Sequence, residues 1–343
     1  MENLSKILII YTGGTIGMVH DLSSGMLVPF NFDNILRHVP ELERFDCVID
    51  SVTCDPLIDS SDVKPEAWQK MAGIIEQNYY EYDGFVILHG TDTMAFSASA
   101  ISFMLENIEK PVIFTGSQLP IGMIRTDGRE NLLSAVEIAA SKHKNSPTVP
   151  EVCIYFENHL RRANRTTKFS AEHFNAFDSP DYPPLARTGI NIQYNHKIIH
   201  KATVRKEFRA HKELDHSISV LKLFPGINRE TVHRFFKPPA TKAVIMESYG
   251  TGNGPTESWY IKEISDYISK GGIVLNITQC HSGSVDMSLY ETSRQLVKAG
   301  VTGGGDMTTE AAVGKLMYLM GKYNDAESVK SLLNKNLRGE ITV

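Results

Sequence analysis

The sequence predicts an α/β protein of two α/β domains, a larger N-terminal sheet domain over residues 1–190 and a smaller C-terminal parallel-sheet domain over 220–343. Three observations carry this. Short apolar, β-rich runs recur, and each ends in a polar turn that leads into helical periodicity. At 343 residues the chain is long for a single core. The rhythm breaks once after Pro180 and resumes at Val220, which sets an interdomain linker over 191–219.

The first run, ILIIY at 7–11, has the composition of a central strand buried on both faces. It passes straight into Thr12-Gly13-Gly14-Thr15-Ile16-Gly17, where three glycines crowd two threonines. Glycine tolerates positive φ and lets a ligand approach the backbone closely. Chemistry in an open α/β sheet sits beyond the carboxyl ends of the strands, which is where this turn puts Thr15. The same segment also reads as a tight βα turn whose threonines only cap. Residues 20–62 read as loop and short elements, and 20–29 suits either a flap over a site or a plain surface loop. IDSSD at 58–62 precedes a helix start at Pro65-Glu66, for which Asp62 or Ser61 is the expected N-cap.

FVIL at 85–88 is a second buried strand, ending in His89-Gly90-Thr91-Asp92-Thr93. A helix follows with Phe96, Ala100, Phe103 and Met104 on one face. PVIF at 111–114 is a third strand, ending at Thr115-Gly116-Ser117-Gln118. The next helix starts near Asp127 and carries Leu132, Leu133, Val136, Ala139 and Ala140. A fourth strand, VCIYF at 152–156, leads to the polar segment 161–170. Basic residues and histidines gather at 197–212, but Glu207, Glu213 and Asp215 interrupt them and aromatics are few. A solvated connector therefore fits better than an RNA-facing arm. Strands are expected again at 221–224, 243–246 and 273–277, with a helix bearing Ile261, Ile264 and Ile268 between the last two. A later helix covers 310–320.

Composition excludes several classes of function. A net charge of −5 gives no reason to expect nucleic acid or an anionic membrane as partner. No apolar run approaches a membrane span, and the N-terminal run is too short for a secretory signal, so a cytoplasmic protein is expected. Cys47, Cys54, Cys153 and Cys280 are scattered without a C-x-x-C pair, which favours reduced thiols over disulfides or a zinc site. No metal and no cofactor are expected: 13–17 lacks the Lys-Ser/Thr of a Walker A loop and the G-x-G-x-x-G spacing, as does the glycine-rich turn at 250–254.

The strand ends, taken together, offer a different chemistry. Thr15, Thr91 with Asp92, Ser60 with Asp59, and Lys168 supply hydroxyls, carboxylates and one lysine. A threonine hydroxyl attacks only once a base removes its proton. Lysine can serve if its surroundings lower its pKa and a carboxylate holds it. Backbone N–H groups of glycine-rich turns can then receive a tetrahedral oxyanion. This set suits acyl transfer, although a lone lysine is more often simply solvated.

TGGTIG at 12–17, LHGTDTM at 88–94, TGSQ at 115–118, NRTTK at 164–168 and NLRGE at 336–340 together resemble the type I (cytoplasmic-type) L-asparaginases. IDSSD at 58–62, SYGTGN at 248–253 and ITQC at 277–280 extend the resemblance over nearly the whole chain. It implies hydrolysis of L-asparagine to L-aspartate and ammonia, active sites near a subunit interface, and a homodimer or dimer of dimers. It implies Thr15 as nucleophile and Thr91, Lys168 and Asp92 as a second hydroxyl–lysine–carboxylate group. Asp59 and Ser60, with Gly90 and Asp92, match positions that grip the substrate's α-amino and α-carboxylate groups, and Ser117 the position that holds its amide.

Two departures stand out. Many relatives carry a tyrosine after the flap glycine, whereas Gly25 is followed by Met26 here. Tyr290, beyond the TQC motif, resembles the tyrosine that mammalian-type relatives use instead, and it also reads as a packing residue. Bacterial type I relatives can bind an effector asparagine near the TTK and TQC motifs, represented by Thr167 and Cys280, through an arginine. That position is Glu247 here, which removes a charge-assisted contact and adds repulsion, so no activation by asparagine is expected. Three other readings stay open. One is an ammonia-generating subunit of a tRNA-dependent amidotransferase, whose extra N-terminal domain is not expected in a chain that enters its first strand at residue 6. The others are a glutaminase preference and a non-catalytic amino-acid-binding protein, against which the intact threonine, lysine and aspartate set speaks.

Overall fold

The structure is a computed structural model that describes residues 4–20, 27–29, 39–201, 206–237, 240–288 and 291–342. The chain divides into two compact units, Met1–Lys212 and Glu213–Val343.

The first unit is built on a mixed sheet. Its strands are β1 (Ser5–Tyr11), β2 (Cys47–Thr53), β3 (Gly84–Leu88), β4 (Val112–Thr115), β5 (Val152–Phe156), β6 (His159–Arg162), β7 (Ala186–Thr188) and β8 (Ile192–Tyr194). Among the described residues this sheet has eight strands in the order β8-β7-β6-β5-β4-β3-β1-β2. From β2 to β5 every pairing is parallel; β6, β7 and β8 join antiparallel. Helices α1 (Pro65–Asn78), α2 (Met94–Met104) and α3 (Gly128–Ala140) make the crossovers. Ile7, Ile9, Val86, Leu88, Ile113 and Val136 belong to one fully buried cluster, the expected result of apolar runs covered on both faces.

The register decides where chemistry can occur. Tyr11 pairs with Leu88 and with Thr53, and Leu88 pairs with Thr115. The turns after β1, β3 and β4 therefore leave the sheet side by side at its carboxyl edge.

The second unit holds a parallel sheet of β9 (Ile218–Lys222), β10 (Ala243–Ser248), β11 (Ile273–Thr278) and β12 (Thr302–Gly303) in that order. Helices α4 (Arg229–Phe235), α5 (Ser258–Ser269), α6 (Glu291–Lys298), α7 (Thr309–Lys322) and α8 (Ala326–Leu333) accompany it. The fold class read from the sequence is the one observed, a larger sheet unit followed by a smaller parallel-sheet unit.

Several elements differ from expectation. Within 20–62, read as loop and short pieces, β2 is a seven-residue edge strand. The first strand after the break lies at Ile218–Lys222 rather than 221–224, because Phe224 stays half exposed beyond the sheet. On α5 the buried face is Tyr260, Ile264 and Tyr267, with Ile261 and Ile268 only partly covered. Among the described residues no helix is long and apolar enough to cross a membrane.

Candidate active site

Three turns and one crossing loop meet at the carboxyl edge of the first unit's sheet. Thr12 fastens the first turn: its backbone N–H and its hydroxyl both donate to the Leu88 carbonyl, at 3.0 and 2.8 Å. Gly14 has φ of 88°, a conformation that favours glycine. A Cβ on Gly14 would sit 2.5 Å from Gly90 Cα, so the turns carrying Thr15 and Thr91 touch backbone to backbone. A Cβ on Gly90 would in turn sit 2.5 Å from Ser60 Oγ. The glycines of TGGTIG and LHGTDTM are thus spacers that let Thr15, Thr91 and Ser60 share one place. Thr12 ties the turn to the end of β3, Gly14 is the N-cap without a side-chain bond, and Thr15 opens a 3-10 turn, partly exposed, with no hydrogen-bond partner for its hydroxyl among the described residues.

Thr91 stands at the end of β3, immediately before α2, and is buried. Lys168 Nζ donates to Thr91 Oγ1 at 3.0 Å and to Asp92 Oδ1 at 2.6 Å. Lys168 is the shielded member of this group, with a side chain 16% exposed against 63% for Asp92. A charge-assisted bond of that length fixes the ammonium over the threonine.

Lys168 reaches this position because its segment is stitched to α2, the helix that follows the Thr91 turn. Ser99 Oγ donates to the Ala163 carbonyl at 3.2 Å, and Asn164 Nδ2 donates to Ser102 Oγ at 3.2 Å, both from α2. Arg162 closes the other side, with Nε and Nη2 at 2.6 and 3.2 Å from the buried carboxylate of Glu151. Serines inside a helix thus serve as anchors for the NRTTK segment.

The N-cap of α1 is Lys64, with no side-chain cap bond, rather than Asp62 or Ser61; Asp59 instead caps the turn Ser60–Asp62, accepting from Ser61 N and Ser61 Oγ, both at 2.9 Å. Those donors hold its carboxyl below the usual carboxylate range. Ser60 is buried, and its carbonyl accepts from Thr93 Oγ1 at 2.6 Å. Ser117 is buried as well, but its hydroxyl donates to the Leu119 carbonyl at 2.6 Å within its own turn. His89 lies wholly buried under the site, and burial pulls its imidazole down to about 4. Its Nδ1 is 2.7 Å from the Gly90 carbonyl, which can only accept, so Nδ1 carries the proton.

The structure thus brings together Thr15, Ser60, Gly90, Thr91, Asp92 and Lys168, with Asp59 and Ser117 on the same edge. Tyr290, Gly25 and Met26 lie outside the described residues. Sequence reasoning missed Gln118, whose Oε1 accepts from Thr91 Oγ1 at 3.2 Å. Its signal was its place directly after Ser117 at a strand end. Among the described residues no group of three or more His, Cys, Asp and Glu side chains is arranged to hold a metal ion.

This arrangement offers a hydroxyl without a partner among the described residues, on a glycine turn packed against the turn that carries a second hydroxyl held by a lysine–carboxylate pair, and such a set can carry out acyl transfer. Comparison with known proteins points the same way. The family model described as "Asparaginase, N-terminal" matches residues 6–200, and "Glutaminase/Asparaginase C-terminal domain" matches 217–333. The chain is 44% identical over 340 residues to "L-asparaginase 1" of Escherichia coli (strain K12), covering 98% of each chain. It is 40% identical over 365 residues to "60 kDa lysophospholipase" of Mus musculus, covering 98% of this chain and 63% of that protein. The crystal structure of L-asparaginase I from Vibrio cholerae superposes with a TM-score of 0.90 at 40% identity, covering 99% of this chain and 100% of that one.

Proposed function

The chain belongs to the asparaginase family, and we propose that this L-asparaginase converts L-asparagine to L-aspartate and ammonia through an acyl-enzyme on Thr15. The observation that carries the reading is the Thr91–Lys168–Asp92 chain of hydrogen bonds beside a glycine turn that presents a second threonine, whose hydroxyl has no partner among the described residues.

Thr15 Oγ1 attacks the side-chain amide carbon and passes its proton to the Tyr290 phenolic oxygen, which hands its own on to solvent; the same path returns a proton to Thr15 when the ester is cleaved. Backbone N–H groups of the Gly13–Thr15 and Gly90–Thr91 turns receive the oxyanion. The C–N bond then breaks, ammonia leaves, and an ester remains on Thr15. Water activated by the Thr91–Lys168 pair attacks that ester, restoring Thr15 and releasing the β-carboxylate. Asp59, Ser60 and Asp92, with the Gly90 backbone, hold the α-amino and α-carboxylate groups, and Ser117 borders the amide. Tyr290 supplies the phenol that assists Thr15, a role supported by the resemblance alone. The same resemblance supports a cytoplasmic homodimer or dimer of dimers; sedimentation velocity reads the assembly, and a monomer would contradict it.

The purified chain alone should release ammonia from L-asparagine, and should do so after treatment with EDTA. Ammonia formation that needs an amidotransferase partner and tRNA would favour the subunit reading instead. Loss of activity with EDTA would refute a mechanism carried by hydroxyls and lysine only.

A further inference from the structure

The Thr91 hydroxyl is engaged on two sides. Lys168 donates to it at 3.0 Å, and it donates to Gln118 Oε1 at 3.2 Å. Gln118 is itself fixed: Nε2 donates to the His173 carbonyl at 3.1 Å, which sets the orientation of the amide. The Gln118 backbone N–H donates to both oxygens of the Asp127 carboxylate, at 3.1 and 3.0 Å. A hydroxyl has one proton. With that proton on Gln118, Thr91 turns a lone pair to Lys168, and the chain runs in one direction, from Lys168 through Thr91 outward. That is the direction of proton delivery. For Lys168 to take a proton from Thr91, the hydroxyl must first leave Gln118.

We propose that Gln118 is a positioning residue for amide hydrolysis: it keeps the Thr91 proton off the Lys168 side and a Thr91 lone pair toward Lys168, and the hydroxyl turns from Gln118 Oε1 to the departing amide nitrogen as the C–N bond breaks. The inference rests on the reading of Thr91, Lys168 and Asp92 as the second hydroxyl group of the site. When the C–N bond breaks, its electron pair stays on nitrogen and takes the Thr91 proton, and Thr91 takes one from Lys168, which becomes neutral. Neutral Lys168 then accepts, through Thr91, a proton of the water that attacks the ester, and is a cation again. Gln118 itself neither gains nor loses a proton.

The charged and titratable groups around this chain come from several segments. Asp92 lies 2.6 Å from Lys168 Nζ, and Asp178 stands opposite Thr167 on the neighbouring short strand, with Arg161 at 3.9 Å from it. Asp127 lies under the Gln118 backbone, and His173 meets Gln118 through its carbonyl.

The test is ammonia release from L-asparagine by Gln118→Met, Gln118→Glu and Asp92→Asn. Gln118→Met keeps the length and loses both polar ends, so kcat should fall about tenfold or more with KM and the urea unfolding midpoint little changed. Gln118→Glu keeps an acceptor oxygen for the Thr91 proton, so it should recover most of the kcat that Gln118→Met loses. Asp92→Asn weakens the hold on Lys168 and should lower kcat on its own. The proposal is overturned if Gln118→Met keeps native kcat, or if Gln118→Glu is no faster than Gln118→Met. If Asp92→Asn keeps native kcat, the assignment of Lys168 is what fails, and the inference falls with it.

Discussion

An aliphatic hydroxyl is inert near neutral pH unless its proton has somewhere to go, and the two threonines of this site meet that requirement differently. Thr91 is buried and engaged by Lys168 and Gln118, so it is suited to relay a proton. Thr15 is partly exposed and its hydroxyl has no partner among the described residues, which suits it to meet a substrate carbon. Thr91→Val keeps the shape and removes the relay, so kcat should fall roughly 10³-fold or more, the scale on which losing an activating partner acts. Tyr290→Phe should lower kcat with KM nearly unchanged, and by more than Met26→Ala does; stopped-time ammonia assays on the three variants rank them, and the reverse order would assign the supporting role to the flap. Thr15 and Thr91 were legible as candidates because reactive groups stood at the ends of recognisable strands. Gln118 was not, because nothing in a sequence says which way an amide turns.

At the scale of elements, the closing NLRGE segment proves to be a clamp within the second unit. Lys315 on α7 and Glu340 are both fully buried, with Nζ and Oε1 2.6 Å apart. Lys315 also donates to the carbonyls of Leu333 and Lys335 at 2.8 and 2.6 Å, while Glu340 accepts from the N–H groups of Leu337 and Arg338. Burial pushes the Lys315 ammonium below its usual range although Glu340 pulls the other way. Removing one partner leaves an uncompensated buried charge, so Glu340→Ala should destabilise the chain by about 3 kcal/mol or more in urea unfolding. Adding Lys315→Met should recover a large part of that loss, and strict additivity of the two changes would refute the clamp. A motif so placed reads as functional in sequence although its work is structural. The apolar runs that became β1, β3, β4 and β5 were plain in the sequence, since strands covered on both faces need continuous hydrophobicity. The antiparallel strands β6, β7 and β8 were hidden: they are three or four residues long, and β6 contains two arginines that are buried only through partners far along the chain. The buried face of α5 was misjudged because tyrosines carry as much of it as isoleucine.

At the scale of the whole molecule, the aligned turns of the first unit explain how motifs scattered from residue 12 to residue 168 serve one reaction. The position at which some relatives carry an effector-binding arginine lies in the second unit, at Glu247. There the Glu247 carboxylate accepts from Thr309 Oγ1 at 2.6 Å and faces Lys222 Nζ at 3.6 Å, so it is already engaged within its own unit. An effector's carboxylate meets a carboxylate rather than an arginine at position 247, and an effector shifts an equilibrium only through differential affinity. Steady-state rates should therefore follow asparagine concentration with a Hill coefficient of about 1; clear sigmoidality would contradict this. The central claim is that the reaction is an acyl transfer begun by Thr15. The most direct test compares ammonia release from L-asparagine by the native chain and by Thr15→Val, with folding checked by circular dichroism. The account predicts an intact fold and a kcat lower by roughly 10³-fold or more, the scale of losing a nucleophile; a Thr15→Val chain that turns over asparagine at the native rate would contradict it.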